Sequence, residues 1–147
     1  MVGDVQTRGR RRIRLGLIKD ILDKKNAIAV VGASRNPEKY GHRVYKDLRE
    51  AGFKVYPVDP NAEEILGDKC YPSLRSLPVK PHAVDFVVPP RVTEEAVRTC
   101  KQLGIAKVWT QPGSESDEAI PFCEENGIEV VHGRCIMIER RKRHHLQ

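Results

Sequence analysis

A chain of 147 residues has room for one domain, and 39% hydrophobic with 31% charged residues describes a globular protein with material for a single core. The formal charge of +6 invites a nucleic-acid or membrane-surface reading, but residues 1–14 carry +4 (five arginines against Asp4) and residues 139–147 carry +3 (four basic residues against Glu139), which leaves a near-neutral body at −1. No apolar run reaches the roughly 20 residues of a membrane span, and no secretory h-region follows the N-terminal arginines, so a cytoplasmic protein away from membranes is expected. The division expected is a frayed basic tail over 1–13, a domain over 14–141 and a basic tail over 142–147.

The elements alternate between apolar strand runs and amphipathic helix patterns, which signals a parallel sheet. A leading helix is expected over Ile13–Lys24, where Ile13, Leu17, Ile18, Ile21 and Leu22 recur at helical spacing. Ala27–Val31 reads as a strand buried on both faces and ends in the turn-rich loop Gly32–Pro37. Gly41–Ala51 is a helix stopped by Gly52, and Phe53–Val58 a second strand closed by Asp59-Pro60-Asn61. Lys69–Tyr71 reads as a short edge strand before Pro72. Ala83–Val88 is a buried strand stopped by Pro89-Pro90, after which Thr93 looks like an N-cap with Glu94 and Glu95 in the first turn. Ala106–Thr110 is a strand. Ser114–Asn126 reads as a helix that Pro121 should kink, and Ile128–Val131 is the last strand. The fold class is therefore α/β: a Rossmann-like, doubly wound parallel sheet of five to six strands in a single domain.

Ligands of such sheets bind beyond the carboxyl ends of the strands, so the loops there matter most. Gly32–Gly41 opens a helix whose N–H groups and dipole favour an anion. Gly32, Ala33 and Ser34 admit close approach, and Arg35, Lys39 and Arg43 supply positive charge, as a pyrophosphate needs. The bland alternative is an ordinary strand–helix turn. Gly32 and Gly41 lie nine apart, which is not the GxGxxG of dinucleotide binders. Asp59 suits a ribose hydroxyl, and Asp-Pro-Asn equally suits a plain turn. Val88-Pro89-Pro90 is either a stiff apolar rim beside a ligand or a strand stop. Gln111-Pro112-Gly113 offers an amide and a close-approach glycine on the same terms.

Cys70, Cys100, Cys123 and Cys135 form no CxxC pair, so a zinc ribbon or thioredoxin-type site is not expected. Cys135 shares the rim; it reads first as a small buried hydrophobe, with no neighbour that obviously lowers its pKa. His42 falls in a first helical turn and His132 at a strand end. No metal-ligand spacing and no Walker, GxSxG or HExxH sequence is present. The residues point to a ligand site without an evident catalytic group.

IAVVGASRNPEKYGHRVYKDLREAGFKVYPVDPN (28–61), GDKCYPSL (67–74), VDFVVPP (84–90), KVWTQPGSES (107–116) and GIEVVHGRCIMIERR (127–141) resemble, in that order, the small coenzyme A-binding proteins. These are stand-alone relatives of the CoA-binding domain of the succinyl-CoA synthetase alpha subunit and of ADP-forming acyl-CoA synthetases. The resemblance implies strand order 3-2-1-4-5-6, with Lys69–Tyr71 as the third strand. It implies CoA as the small-molecule ligand, with its phosphates taken by Gly32, Ala33, Ser34, Arg35, Lys39, Tyr40 and Gly41. Val58, Asp59, Pro60 and Asn61 would lie near the nucleotide, Val88, Pro89 and Pro90 along the ligand, and Gln111, Pro112 and Gly113 at the opposite wall. Cys135 would approach the thiol end. The synthetases carry a CoA-contacting lysine in the second-strand loop, and this sequence has Asp59-Pro60-Asn61 there. Their phosphohistidine and ATP-grasp domains have no counterpart in the 147 residues, so a ligase acting alone is not expected.

The leading expectation is a domain that binds CoA or an acyl-CoA without catalysis of its own. The rival readings are an NAD(P)-dependent oxidoreductase, a subunit of a split acyl-CoA ligase, and a nucleic-acid binder acting through the basic ends. No protein partner is legible.

Overall fold

The computed structural model describes residues 15–143. Residues 15–21 are helical (α1), and Leu17, Ile18, Ile21 and Leu22 are buried as the spacing requires. The 1–13 tail and residues 144–147 lie outside the described residues. The elements that follow are β1 (Ala27–Val31), α2 (Tyr40–Glu50), β2 (Lys54–Val58), β3 (Glu64–Ile65), β4 (Asp68–Lys69), β5 (Ala83–Phe86), α3 (Pro90–Leu103), β6 (Lys107–Thr110), α4 (Ala119–Glu125), β7 (Glu129–Val131) and α5 (Ile136–Lys142). A single 3-10 turn spans Leu74–Ser76.

Five strands pair in parallel in the order β2-β1-β5-β6-β7. The expected third strand is reduced. Asp68–Lys69 turns back on Glu64–Ile65 as a small antiparallel hairpin through Leu66 and Gly67, both at positive φ. Only Tyr71 bridges Val58 in parallel beyond β2, and through it the order 3-2-1-4-5-6 is kept.

Strand alternation sorts the core into two layers. Ile28, Val30, Ala83 and Trp109 pack with α1, α2 and Ile136 of α5. Ala29, Val84, Phe86 and Val108 pack on the other face with Val97 and Cys100 of α3 and Ala119 and Cys123 of α4. Each face is covered, as a doubly wound sheet requires.

Three local expectations are corrected. Helix α3 begins at Pro90, with Pro89 as its N-cap, not at Thr93. A proline's fixed φ suits the first helical position, where no N–H is needed. Thr93 is instead buried one turn in, its hydroxyl without a hydrogen-bond partner. Helix α4 begins at Ala119, so Pro121 falls in its first turn and imposes no kink. The backbone N–H groups of Glu118 and Ala119 donate to the Ser116 hydroxyl, which marks that start.

The third concerns the start of the tail expected over 142–147: α5 runs Ile136–Lys142 with Arg143 as its C-cap, so the helix takes in Lys142. Arg140 grips Asp47 of α2 with two bonds of 2.7 and 3.2 Å. Buried Glu139 is ringed by Arg134, Lys142 and Arg143. Arg140 thus ties α5 to α2, while the groups around Glu139 are contacts within α5 and the loop that leads into it.

Candidate functional site

The loop after β1 is built by two glycines that touch. A Cβ on Gly41 would lie 1.8 Å from the Gly32 carbonyl oxygen, and a Cβ on Gly32 would lie 2.1 Å from the Val87 carbonyl oxygen. Gly32 is also at φ +99°, a conformation side chains avoid. The nine-residue spacing that departs from GxGxxG thus performs one task of that motif: it lets a helix start abut a strand end. Between the glycines the loop holds itself. The Asn36 N–H donates to the Ser34 hydroxyl at 3.1 Å, and the Glu38 N–H donates to Asn36 Oδ1 at 3.0 Å. His42 Nδ1 sits 2.7 Å from the Ser34 carbonyl. No side chain caps α2, and Arg35, Lys39 and Arg43 are exposed around its start.

A cleft of about 510 Å³ opens beside this loop at the carboxyl ends of β1 and β2. Of the residues singled out by sequence, Gly32, Val58, Asp59, Pro60, Asn61 and Val88 line it together. Asp59 makes the plain turn expected of Asp-Pro-Asn. Its Oδ1 accepts the Asn61 N–H at 3.0 Å, which makes the turn, and the residue still faces the cleft. The opposite wall is one the sequence reading missed: Pro72 to Arg75 and, from α3, Val92, Glu95, Ala96 and Thr99. The signal was present, since Tyr71 ends the rudimentary third strand and Pro72 therefore opens one more loop on the same rim. Pro89, Pro90, Pro112 and Gly113 are exposed and stand outside the cleft lining.

Tyr40, Gln111 and Cys135 form a second group on the same rim, over the α2 and α5 face of the sheet. Tyr40 Oη and Cys135 Sγ lie 2.8 Å apart. Gln111 Nε2 donates to Tyr40 Oη at 3.3 Å and to Cys135 Sγ at 3.6 Å. The amide has one orientation available, because its Oε1 accepts the Ile136 N–H at 2.9 Å. Below them lies Asp85, fully buried, with neither carboxylate oxygen hydrogen-bonded. Burial holds its carboxyl well above the ordinary carboxylate range, and the nearby Cys135 adds to the effect.

Cys135 overturns the expectation that nothing lowers its pKa. Burial pushes the thiol up, but the Tyr40 hydroxyl, the backbone N–H groups of Ile138 and Met137 at the start of α5, and the Gln111 amide together outweigh it. The thiol ends below its ordinary range. Burial pushes Cys100 and Cys123 the other way, up to about 12. Among the described residues no helix is long and apolar enough to cross a membrane, and no group of His, Cys, Asp and Glu is arranged to hold a metal ion.

The family model described as a CoA binding domain matches residues 26–141. The chain is 39% identical over 122 residues to an ADP-forming acetate–CoA ligase of Archaeoglobus fulgidus, covering 79% of this chain and 18% of the ligase. It is 33% identical to a small uncharacterised protein of Bacillus subtilis, covering 82% of this chain and 90% of that protein. It thus spans about a fifth of the length of the ligase but nearly all of the small protein. A solved hypothetical protein from Pyrococcus horikoshii superposes with a TM-score of 0.80 at 42% identity, over 85% of this chain and 88% of that one. The family match over the whole sheet, and the small relative of nearly equal length, place the chain in the CoA-binding domain family, within the lineage shared with ADP-forming acetate–CoA ligases.

Proposed function

We propose that the protein binds coenzyme A, or an acyl-CoA, in the cleft at the ends of β1 and β2 and acts as a holder of that ligand. The observation that carries the reading is the cleft itself, an apolar slot between Val58, Leu74, Val92 and Ala96 beside the uncapped start of α2. The residues present fit the ligand's chemistry. The apolar walls suit a nucleobase, while Arg35 and Lys39 at the helix start and Arg75 on the far wall suit phosphates. Asp59 and Asn61 offer polar partners for a ribose.

Calorimetry with CoA, dephospho-CoA, NAD and NADP tests the proposal. Binding of CoA ahead of both dinucleotides is the expected result, and no heat with millimolar CoA refutes it. Arg35→Ala and Lys39→Ala should each weaken CoA binding by roughly tenfold, the scale of one charge-assisted bond. Unchanged affinity in both would mean that the phosphates lie elsewhere on the rim.

A further inference from the structure

The Cys135 group is not absorbed by a cleft that binds a nucleotide, yet it stands on the same rim. Gly32 lines the cleft, Gly41 abuts Gly32, and Tyr40 is the residue before Gly41. On the other side, Val88 lines the cleft and donates its N–H to the Ser114 hydroxyl at 3.0 Å, in the turn that Gln111 opens. Neighbouring strands lie ~4.8 Å apart, so the rim from the end of β2 to the end of β7 runs roughly 19 Å. A ligand with a nucleotide at one end and a sulfhydryl on a long flexible arm has that shape.

Three features set the Cys135 sulfur apart from a packed thiol. Hydrogen-bond donors converge on it from Tyr40, Gln111 and the start of α5. The Gln111 amide is clamped by Ile136 so that its NH₂ faces the sulfur. Asp85 projects from the middle of β5 to the α2 and α5 face, since its register partner Trp109 packs there while Val84 and Phe86 face the other layer. It lies close enough to Cys135 that the sulfur helps burial hold its carboxyl in the acid form. This buried, unpartnered carboxyl is a costly thing to keep under an ordinary packed cysteine. Among the described residues, the titratable groups that face the sulfur are Tyr40 from α2 and Asp85 from β5.

We propose that Cys135 is a thiol-exchange site that captures coenzyme A covalently from its disulfide, an inference that rests on the CoA reading of the adjoining cleft. The Cys135 thiolate attacks the CoA sulfur of a CoA–S–S–R disulfide. The Cys135–S–S–CoA bond forms, the CoA–S–R bond breaks, and R–S⁻ leaves with the electron pair. The attacking sulfur is oxidised as the leaving sulfur is reduced, so no other oxidant is needed. The proton lost from the Cys135 thiol goes to solvent or to the leaving thiolate. A small thiol reverses the step. Tyr40 and Gln111 act as positioning residues that hold the sulfur as thiolate.

The test incubates the full chain with CoA disulfide and follows intact mass, with peptide mapping and with cystine as a disulfide that has no nucleotide. The expected result is one CoA adduct on Cys135, reversed by dithiothreitol, absent in Cys135→Ser and formed at least about tenfold faster than the cystine adduct. In Tyr40→Phe the midpoint of the pH–rate profile moves up, and exchange at neutral pH slows by about threefold. The loss of thiolate is offset in part by greater intrinsic nucleophilicity. Binding of reduced CoA by calorimetry with no adduct on Cys135 overturns the exchange site and leaves the CoA reading standing. Equal rates with cystine and CoA disulfide overturn the capture of CoA in particular. An unmoved pH profile in Tyr40→Phe overturns the role given to Tyr40.

Discussion

Asp85 is the residue at which the fold carries its plainest cost. A carboxyl in the middle of a central strand, with no donor to either oxygen, is held in its acid form by burial. The unfolded chain releases that proton near pH 4, whereas the folded chain keeps it to much higher pH. Stability owed to this group is therefore fully present below about pH 4 and is lost as pH rises toward the folded value. Against Asp85→Asn, the wild type should lose up to ~1.4 kcal/mol per pH unit as pH rises above about 4 and until the folded carboxyl itself ionises, read from urea unfolding at several pH values. A difference that stays constant with pH would mean that Asp85 is ionised in the fold. The glycines make a second test at this scale. Gly41→Ala drives a methyl into the Gly32 carbonyl and should cost about 3 kcal/mol or more, while Gly113→Ala, strained only by its φ of +96° and with open space around it, should cost about 1 kcal/mol. Equal losses in the two melting curves would refute the packing role given to the Gly32–Gly41 contact.

Among the elements, α5 is the one that sequence pattern concealed. IMIERRK places three basic residues in seven, which reads as a solvated end, and its partners lie far away in the chain. Asp47, which pairs with Arg140, is 93 residues distant, and both side chains are only 15% exposed. Arg140→Ala leaves that Asp47 carboxylate half-answered and should cost about 1–3 kcal/mol, measured by chemical denaturation. A loss within error would show that Arg141, 3.7 Å from the same carboxylate, replaces the bond. The parallel strands, by contrast, are legible to within a residue or two, because burial on both faces leaves runs such as Ala27–Val31 with no polar interruption. The segment between β2 and β5 is not, because its contacts are a two-residue hairpin, one bridge and a 3-10 turn, and none repeats long enough to leave a period. For that reason the wall from Pro72 to Arg75 was missed while the wall from Gly32 and Asn61 was found. The Tyr40–Cys135 contact joins residues 95 apart and becomes visible only once α2 and α5 share a face.

For the whole molecule, the partition of charge separates cations held in ion pairs from cations left to solvent. Much of the C-terminal positive charge is spent on Asp47 and Glu139, so the molecule's basicity is in part internal ion pairing. Exposed cations around the cleft include Arg35, Lys39, Arg43 and Arg75, which suits the small polyanion proposed. Binding of such a ligand to the folded state alone stabilises it by mass action. CoA at a hundred times its dissociation constant should add about 2.7 kcal/mol to unfolding and raise the melting temperature by several degrees. Doubling the salt should shrink that gain, because the phosphates meet exposed cations. A melting temperature indifferent to CoA would contradict the proposed ligand.

The distribution of thiols has a practical corollary. Three of the four cysteines are buried, and Cys135 alone is partly open, at the rim where a ligand's far end would lie. The wild-type chain is therefore already a single-site labelling scaffold. An environment-sensitive fluorophore attached at Cys135 through a maleimide would need no background cysteines removed. Its emission would report occupancy of the neighbouring cleft in real time, turning this small domain into an optical sensor.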